Sequence, residues 1–329
     1  MQTFYSYDEL GNLEGRPVYL TIGYFDGVHL GHQKLFEDLT ASAIRMAAES
    51  LVLTFSNSPR RFHQPMLPPV EWHYLTTADE KLELIAQQNA SATLMLPYDE
   101  SIARQTSEHF LRGLKERVDL KGLCVGYDTS IGSDMLTGRE QFAQLCLKLG
   151  LDLTWVEPHH VEGAPVKSSQ IRALVQAGEM RAAARRLGRR YALQGEVVHG
   201  KGKGRAMLGI PTANLSLPAE KLLPQLGVYA GIGWVEKEMY PAAICLASAV
   251  QHAHTALEGK GVAQEAGEIS LEVVPEAHLI EFEGDLYGGH LTLEFIEILR
   301  GWSDFESVAD LRAQMQVDIQ EAARIAAGG

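Results

Sequence analysis

Between residues 18 and 188 short β-branched runs alternate with stretches of helical periodicity, and after Leu187-Gly188 the alternation stops. Strands that alternate with helices are the pattern of a parallel sheet covered by helices. The strand runs are Val18–Phe25, Leu51–Phe55, Ala92–Leu96, Gly122–Gly126 and Leu151–Val156, with helices expected at Leu30–Ala48, Asp79–Gln88, Glu108–Arg117 and Gly138–Lys148. Thr77-Ala-Asp-Glu80 and Thr137-Gly-Arg-Glu140 each set a hydroxyl three residues before a carboxylate, so each predicts a capping box. Beyond the break the runs are β-rich: Tyr191–His199, Val228–Val235, Ala242–Ala247, Ile269–Val274, His278–Phe282 and His290–Leu299. Helical spacing returns only in Ser307–Ala327, where Val308, Leu311, Met315, Ile319 and Ala322 recur on one face. An α/β domain over residues 1–187 and a barrel or sandwich over 188–329 follow from this reading, and 329 residues suffice for two cores.

The balance of charge restricts the partners. Lys+Arg 29 against Asp+Glu 42 gives a formal charge of −13, which repels nucleic acid and anionic membrane surfaces at long range. A polyanionic ligand must therefore be held by local donors. Cys124, Cys146 and Cys245 are far apart and lack metal-ligand spacing, which fits a reducing compartment. No basic segment leads into an apolar one at the N-terminus, and no apolar run is long enough for a bilayer, so a cytoplasmic protein is expected. Assembly into a homo-oligomer is left open.

The string Gly27-Val-His-Leu-Gly-His32 lies where the first strand gives way to a helix. In a doubly wound sheet that turn is at the carboxyl edge, where ligands bind and the helix presents unpaired amides. Gly27 and Gly31 carry no side chain to hold a phosphate off, while His29 and His32 can donate to it from the opening turn. The competing reading is a pair of capping histidines between turn glycines. Ser168-Ser169-Gln-Ile-Arg172 follows the last strand of the sheet, so its hydroxyls and guanidinium can face the same edge or serve as a plain N-cap.

In the β-rich half, Gly195–Arg205 is glycine-rich and carries two lysines and an arginine, and Gly209-Ile-Pro-Thr-Ala-Asn214 is a turned polar segment. The first reads as a phosphate cradle or as a solvated hairpin. In the second, Thr212 and Asn214 offer hard oxygen donors of the kind that suit Mg²⁺.

His-x-Gly-His after a first strand resembles the nucleotidylyltransferase superfamily. Gly23-Tyr-Phe-Asp-Gly-Val-His-Leu-Gly-His32, Leu187-Gly-Arg-Arg-Tyr191, Val197-Val-His-Gly200 with Pro211-Thr-Ala-Asn214, and Asp285-Leu-Tyr-Gly288, in that order, resemble the bacterial bifunctional riboflavin kinase/FMN adenylyltransferase (FAD synthetase) family over nearly the whole chain. The resemblance implies a Rossmann-like nucleotidylyltransferase domain, then an antiparallel β-barrel domain with a C-terminal helix. It implies ATP as co-substrate, Mg²⁺, and riboflavin, FMN and FAD as ligands. Site residues carried over on the matching positions are His29, His32 and Arg172 for adenylyl transfer. Gly23, Phe25, Gly27, Gly31, Ser168, Ser169, Gly204 and Arg205 are carried over for the nucleotide. Glu276 is the general base toward the ribityl hydroxyl, Thr212 and Asn214 hold the metal, and Asp128 and Pro59 contact the flavin.

The chain departs from the family where Asp-Phe-x-Phe-Gly becomes Asp128-Thr-Ser-Ile-Gly132, where Phe-x-Pro-His-Pro becomes Phe55-Ser-Asn-Ser-Pro59, and where Asn-Ile-Gly-x-Arg-Pro-Thr becomes part of Ile244–His254. Two alternatives stay open at this point: an adenylyltransferase whose barrel has lost kinase activity, and a flavin- or nucleotide-binding regulator without turnover.

Overall fold

A computed structural model describes residues 1–13, 15–64, 66, 73–199, 209–248 and 273–328. It divides into two units, Met1–Gln170 and Ile171–Gly329.

The first unit runs β1 (Gln2–Phe4), a 3-10 turn (Asp8–Leu13), β2 (Pro17–Ile22), α1 (Leu30–Arg45), β3 (Glu49–Phe55), α2 (Pro59–His63), α3 (Ala78–Ala86) and β4 (Ala92–Leu96). It continues with α4 (Glu100–Ala103), α5 (Ser107–Lys115), β5 (Asp119–Gly126), a small hairpin β6 (Ser130–Ile131) and β7 (Leu136–Thr137), α6 (Arg139–Leu149) and β8 (Asp152–Val156). A second hairpin, β9 (His160–Val161) and β10 (Ala164–Pro165), precedes α7 (Ser168–Gln176). The sheet order is β1-β4-β3-β2-β5-β8 and every neighbouring pair is parallel.

Burial on both faces explains the near-continuous apolar strands. Leu20, Leu51, Leu53 and Leu123 face one core with Phe110 and Phe142, while Tyr19, Val52 and Cys124 face the other with Leu35, Phe36 and Leu39 of α1. From β2 the chain builds β3 and β4 on one side, then β5 and β8 on the other. That reversal makes the carboxyl ends of β2 and β5 the switch point, where a ligand crevice is expected.

Several expectations change. β2 stops at Ile22 rather than Phe25, because Phe25, Gly27 and Val28 take φ of 56°, 80° and 40° and leave the extended region. The capping box at Thr77 and Glu80 is present. The one expected at Thr137 is not: Gly138 occupies the N-cap at φ 80° without a side-chain bond, and Thr137 Oγ1 donates to Thr129 O at 3.0 Å.

The second unit has α8 (Met180–Leu187), β11 (Tyr191–Val198), β12 (Ala213–Ser216), β13 (Gly227–Val235), β14 (Glu238–Ser248), β15 (Val273–Leu279), β16 (His290–Arg300) and α9 (Val308–Ala327). The six strands close into a barrel in the order β11-β12-β15-β14-β13-β16, all antiparallel. The two runs expected at 269–274 and 278–282 are replaced by the single strand β15, residues 269–272 lying outside the described ones. α9 lays Ala322 and Ile325 on Ala230, Ile232 and Ile296. Val308, Leu311, Met315 and Ile319 are only half-buried, so the covered stripe lies nearer the C-terminus than its spacing suggests. No helix among the described residues is long and apolar enough to cross a membrane.

Candidate active sites

The turn from β2 into α1 is strained and over-determined. A β-branched residue at φ 40° is costly, yet Val28 is fully buried with Phe25, Leu35 and Phe36, so burial offsets the backbone cost. Gly23 is needed because a Cβ there would lie 2.5 Å from the Phe25 ring. His29 caps α1 and accepts the amide of His32 at Nδ1, 3.4 Å away. An imidazole that accepts at Nδ1 carries its proton at Nε2, so this contact fixes which nitrogen donates. The His29 and His32 rings stack at 3.6 Å between centroids and 17° between planes, and Phe25 meets His32 edge-on. Gly31 permits the stack: its Cβ would lie 3.1 Å from the His29 ring. The capping role set against phosphate binding in the sequence is therefore real for His29, which places the ring at the helix end where unpaired amides collect.

Groups that no motif announced hold the turn. Asp26 is 4% exposed, and its Oδ1 accepts the amides of Leu75 at 2.9 Å and Thr76 at 3.3 Å. Gly27 N donates to Thr76 Oγ1 at 3.0 Å. Ser168 Oγ donates to the carbonyl of Asp26 at 2.9 Å, which ties the start of α7 to the same turn. Lys81, 2% exposed on α3, donates to Tyr24 O at 3.0 Å and Phe55 O at 2.6 Å. Burial pushes its amine down to about 7, against the pull of the Asp26 charge. Asp26 stands inside the string that drew attention to the histidines, but nothing in a pattern reveals that its carboxylate turns inward to amides some fifty residues on.

Of the remaining expected residues in this half, Ser169 is exposed and Arg172 is half-buried one turn along α7, past the division between the units. Pro59 opens α2, capped by Ser58, whose side chain accepts the amide of Arg61. Asp128 is exposed in the turn after β5. An aromatic group also escaped sequence reasoning. Phe55, Phe62, His63 and Tyr98 meet edge-on at centroid distances of 5.1 to 5.6 Å, and His63 Nε2 pairs with Tyr98 OH at 2.8 Å. These rings stand at the carboxyl ends of β3 and β4, on the same edge as the histidines.

In the barrel, register assembles the second set. Glu276 of β15 lies directly opposite Asn214 of β12 on one side and Cys245 of β14 on the other. Directly paired residues point to one face of a sheet, so the three side chains form a row. Asn214 is 8% exposed, Thr212 lies two residues before it, and His278 Nδ1 meets the carbonyl of Pro211 at 2.8 Å. Asn214 and Glu276 are partners across β12 and β15 and Thr212 stands just before β12; the side-chain oxygens these residue types carry suit a hard divalent cation such as Mg²⁺. Burial and the neighbouring Glu276 push the Cys245 thiol up to about 12, so it stays a protonated, neutral neighbour. Tyr287 of the Asp285–Gly288 segment stacks on His199 at 3.8 Å. Gly204 and Arg205 lie outside the described residues, as does most of the altered 244–254 segment.

Known proteins resemble this chain along almost its whole length. The FAD synthetase family model matches residues 12–170, and the riboflavin kinase family model matches residues 187–326. A bifunctional riboflavin kinase/FMN adenylyltransferase of Pseudomonas fluorescens is 30% identical over 322 residues, covering 95% of this chain and 94% of the relative. Its counterpart in Escherichia coli K12 is 29% identical over 306 residues, covering 91% and 90%. Among solved structures, one described as a macrolide-efflux protein from Streptococcus pneumoniae superposes with a TM-score of 0.81 at 25% identity, over 98% of both chains. With both family models placed in order, and relatives that match along almost their whole length, the chain belongs to the bifunctional riboflavin kinase/FMN adenylyltransferase family.

Proposed function

We propose that residues 188–329 phosphorylate riboflavin to FMN and that residues 1–187 adenylylate FMN to FAD, with one ATP consumed in each step. The observation that carries this reading is the presence of two separate constellations in one chain: stacked imidazoles heading α1, and a carboxylate in register with a buried asparagine in the barrel.

In adenylyl transfer a phosphate oxygen of FMN attacks the α-phosphorus of ATP, and the bond to pyrophosphate breaks. No covalent enzyme intermediate is required. His29, His32 and the free amides of α1 donate to the oxygens on which charge builds, and Arg172, Ser168 and Ser169 hold the departing phosphates. Gly23, Phe25, Gly27 and Gly31 shape the turn so that nucleotide can approach the backbone. Phe62 and Tyr98, with Pro59 and Asp128, supply the flavin contacts, the aromatic pair taking the place of the phenylalanines missing after β5.

In the barrel Glu276 takes the proton of the ribityl 5′-hydroxyl as that oxygen attacks the γ-phosphorus and ADP departs. Thr212 and Asn214 would hold Mg²⁺, which when bound neutralises charge on the nucleotide phosphates.

The test is direct. Purified protein receives riboflavin, ATP and Mg²⁺, then FMN, ATP and Mg²⁺, and products are separated by chromatography. FMN and FAD in the first run and FAD in the second are expected. FAD from FMN alone would assign the barrel no kinase turnover, and no product in either run would leave only a binding protein.

A further inference from the structure

Among the described residues Lys81 is the most deeply buried cationic side chain that the two reactions leave unused, and it bonds the backbone at Tyr24, where the histidine turn begins. Its two acceptors are informative. Phe55 is the last residue of β3, and Tyr24 lies two residues past the end of β2. Carbonyls at the ends of buried parallel strands lose their neighbours where the chain departs and must find other donors. Thr54 Oγ1 reaches Tyr24 O at 3.2 Å, and Lys81 Nζ is the group that bridges both carbonyls. Two N–H bonds remain to a lysine even as a neutral amine, so the bridge survives in either protonation state. The ammonium also lies over the Tyr24 ring, 4.0 Å from its centroid.

Burying an amine is expensive, and a simple carbonyl cap needs only a hydroxyl or a water. The expense falls where the backbone is most strained, since Phe25, Gly27 and Val28 all have positive φ immediately after the anchored carbonyl of Tyr24. Three further ties hold the same turn: Asp26 to the amides of Leu75 and Thr76, Gly27 to Thr76, and Ser168 to Asp26. Thr76 and Lys81 flank the capping box that starts α3, so that box and the lysine belong to one short segment.

We propose that Lys81 is a positioning residue of the adenylyltransferase site: by bridging Tyr24 O and Phe55 O it locks the turn from Tyr24 to Val28 and thereby sets His29 and His32 against the transferring phosphate. The assignment rests on the reading of that site given above. It does not make Lys81 a group that touches substrate. Its effect is transmitted through roughly four residues of backbone, and a displacement of about 1 Å in a charge-stabilising donor is enough to cost on the order of 10²-fold in rate.

The experiment compares wild-type protein with Lys81→Met, an unbranched apolar side chain one atom shorter that fills most of the same space and removes the donors, and with Lys81→Arg, which keeps a donor at that depth. FAD formation from FMN and ATP, FMN formation from riboflavin and ATP, and the imidazole proton resonances of His29 and His32 are recorded for each. In Lys81→Met, kcat for FAD formation should fall about tenfold or more while KM for ATP changes by less than about threefold, because the loss is in the transition state. FMN formation should be unchanged, both imidazole resonances should move, and Lys81→Arg should recover part of kcat. The proposal is overturned if Lys81→Met forms FAD at the wild-type rate, if both reactions fall together, or if FAD formation falls with the imidazole resonances in place. Should Lys81→Met not fold, Lys81→Gln, too short to reach both carbonyls, is read with the same expected and overturning results. If wild-type protein forms no FAD, the adenylyltransferase reading fails instead, and the imidazole resonances still decide whether Lys81 sets the turn.

Discussion

His29 closes the first turn of α1 with one nitrogen and leaves the other carrying the proton, so the ring proposed to donate to phosphate is also the helix cap. His29→Ala should lower FAD formation by about 10²- to 10³-fold, the loss expected for one charge-stabilising donor, with FMN formation kept. Glu276→Gln should do the reverse, lowering FMN formation by about 10²- to 10⁴-fold. Product assays on the two variants check both statements, and equal loss of the two products in either variant would contradict separate sites. His29 drew attention because a short motif carries it, whereas Glu276 was named only through the resemblance, by its interval before Asp285-Leu-Tyr-Gly288. Asp26, Thr76 and Lys81 were not legible, since their role depends on contacts made about fifty residues apart along the chain. Lys81 also leaves a mark on stability. Its amine sits near 7 in the folded protein against 10.5 as the ordinary value, so the unfolded chain binds more protons between those limits. The burial penalty is therefore complete below pH 7 and is relieved as pH rises toward 10.5. Relative to Lys81→Met, the wild-type protein should gain up to about 4 kcal/mol of unfolding free energy between pH 7 and 10. Urea titrations of both proteins across that range measure it, and parallel pH curves would show that the amine titrates at its ordinary value.

At the level of elements, two threonines that look alike in sequence part company. Thr77 accepts the amide of Glu80 at 3.2 Å and donates its own amide to the Glu80 carboxylate at 2.9 Å, whereas Thr137 stands one position before the N-cap of its helix. Thr77→Ala should cost about 1 kcal/mol and Thr137→Ala less than about 0.5 kcal/mol, read as shifts in urea midpoint. The difference lies in Gly138, whose φ of 80° takes over the N-cap, and the tetrad Thr-x-x-Glu does not encode that. A similar limit governs β15. Proline is a strand-breaking signal, so the run around Pro275 reads as two pieces, yet the strand is continuous. It survives because β15 pairs with β12 only at Glu276 and Ala277, so at Pro275 the single partner is Leu246 of β14 and one missing N–H leaves the rest of the ladder intact. β12 was missed for the opposite reason: four residues following a proline are too few to show alternation. The long strands and α9 were legible because their periodicity extends over enough residues to average out local chemistry.

Across the whole molecule, motif content and packing divide the chain in different places. The motifs change character at 187/188, and the riboflavin kinase family model begins at residue 187. Packing divides the chain after Gln170, which assigns α8 to the barrel unit. α8 lies against β11 and β16, buries Met180, Ala183 and Leu187 almost completely, and ties Arg181 to Glu297 of β16 at 2.5 Å. The exposed ion pair adds little, so the apolar face should account for most of the attachment. Exposing Met180 and Leu187 would cost about 2 kcal/mol each at the usual return for a buried aliphatic side chain. A barrel fragment of residues 177–329 should therefore unfold with about 4 kcal/mol more free energy than one of residues 188–329, a large share of the stability of a domain this size. Urea unfolding of the two fragments, with FMN formation assayed on each, makes the comparison. Equal midpoints would place α8 outside the cooperative unit of the barrel and return the boundary to the motif position, whereas a lower midpoint with kinase activity retained in the longer fragment alone would show that the helix before the kinase motifs is part of the kinase fold.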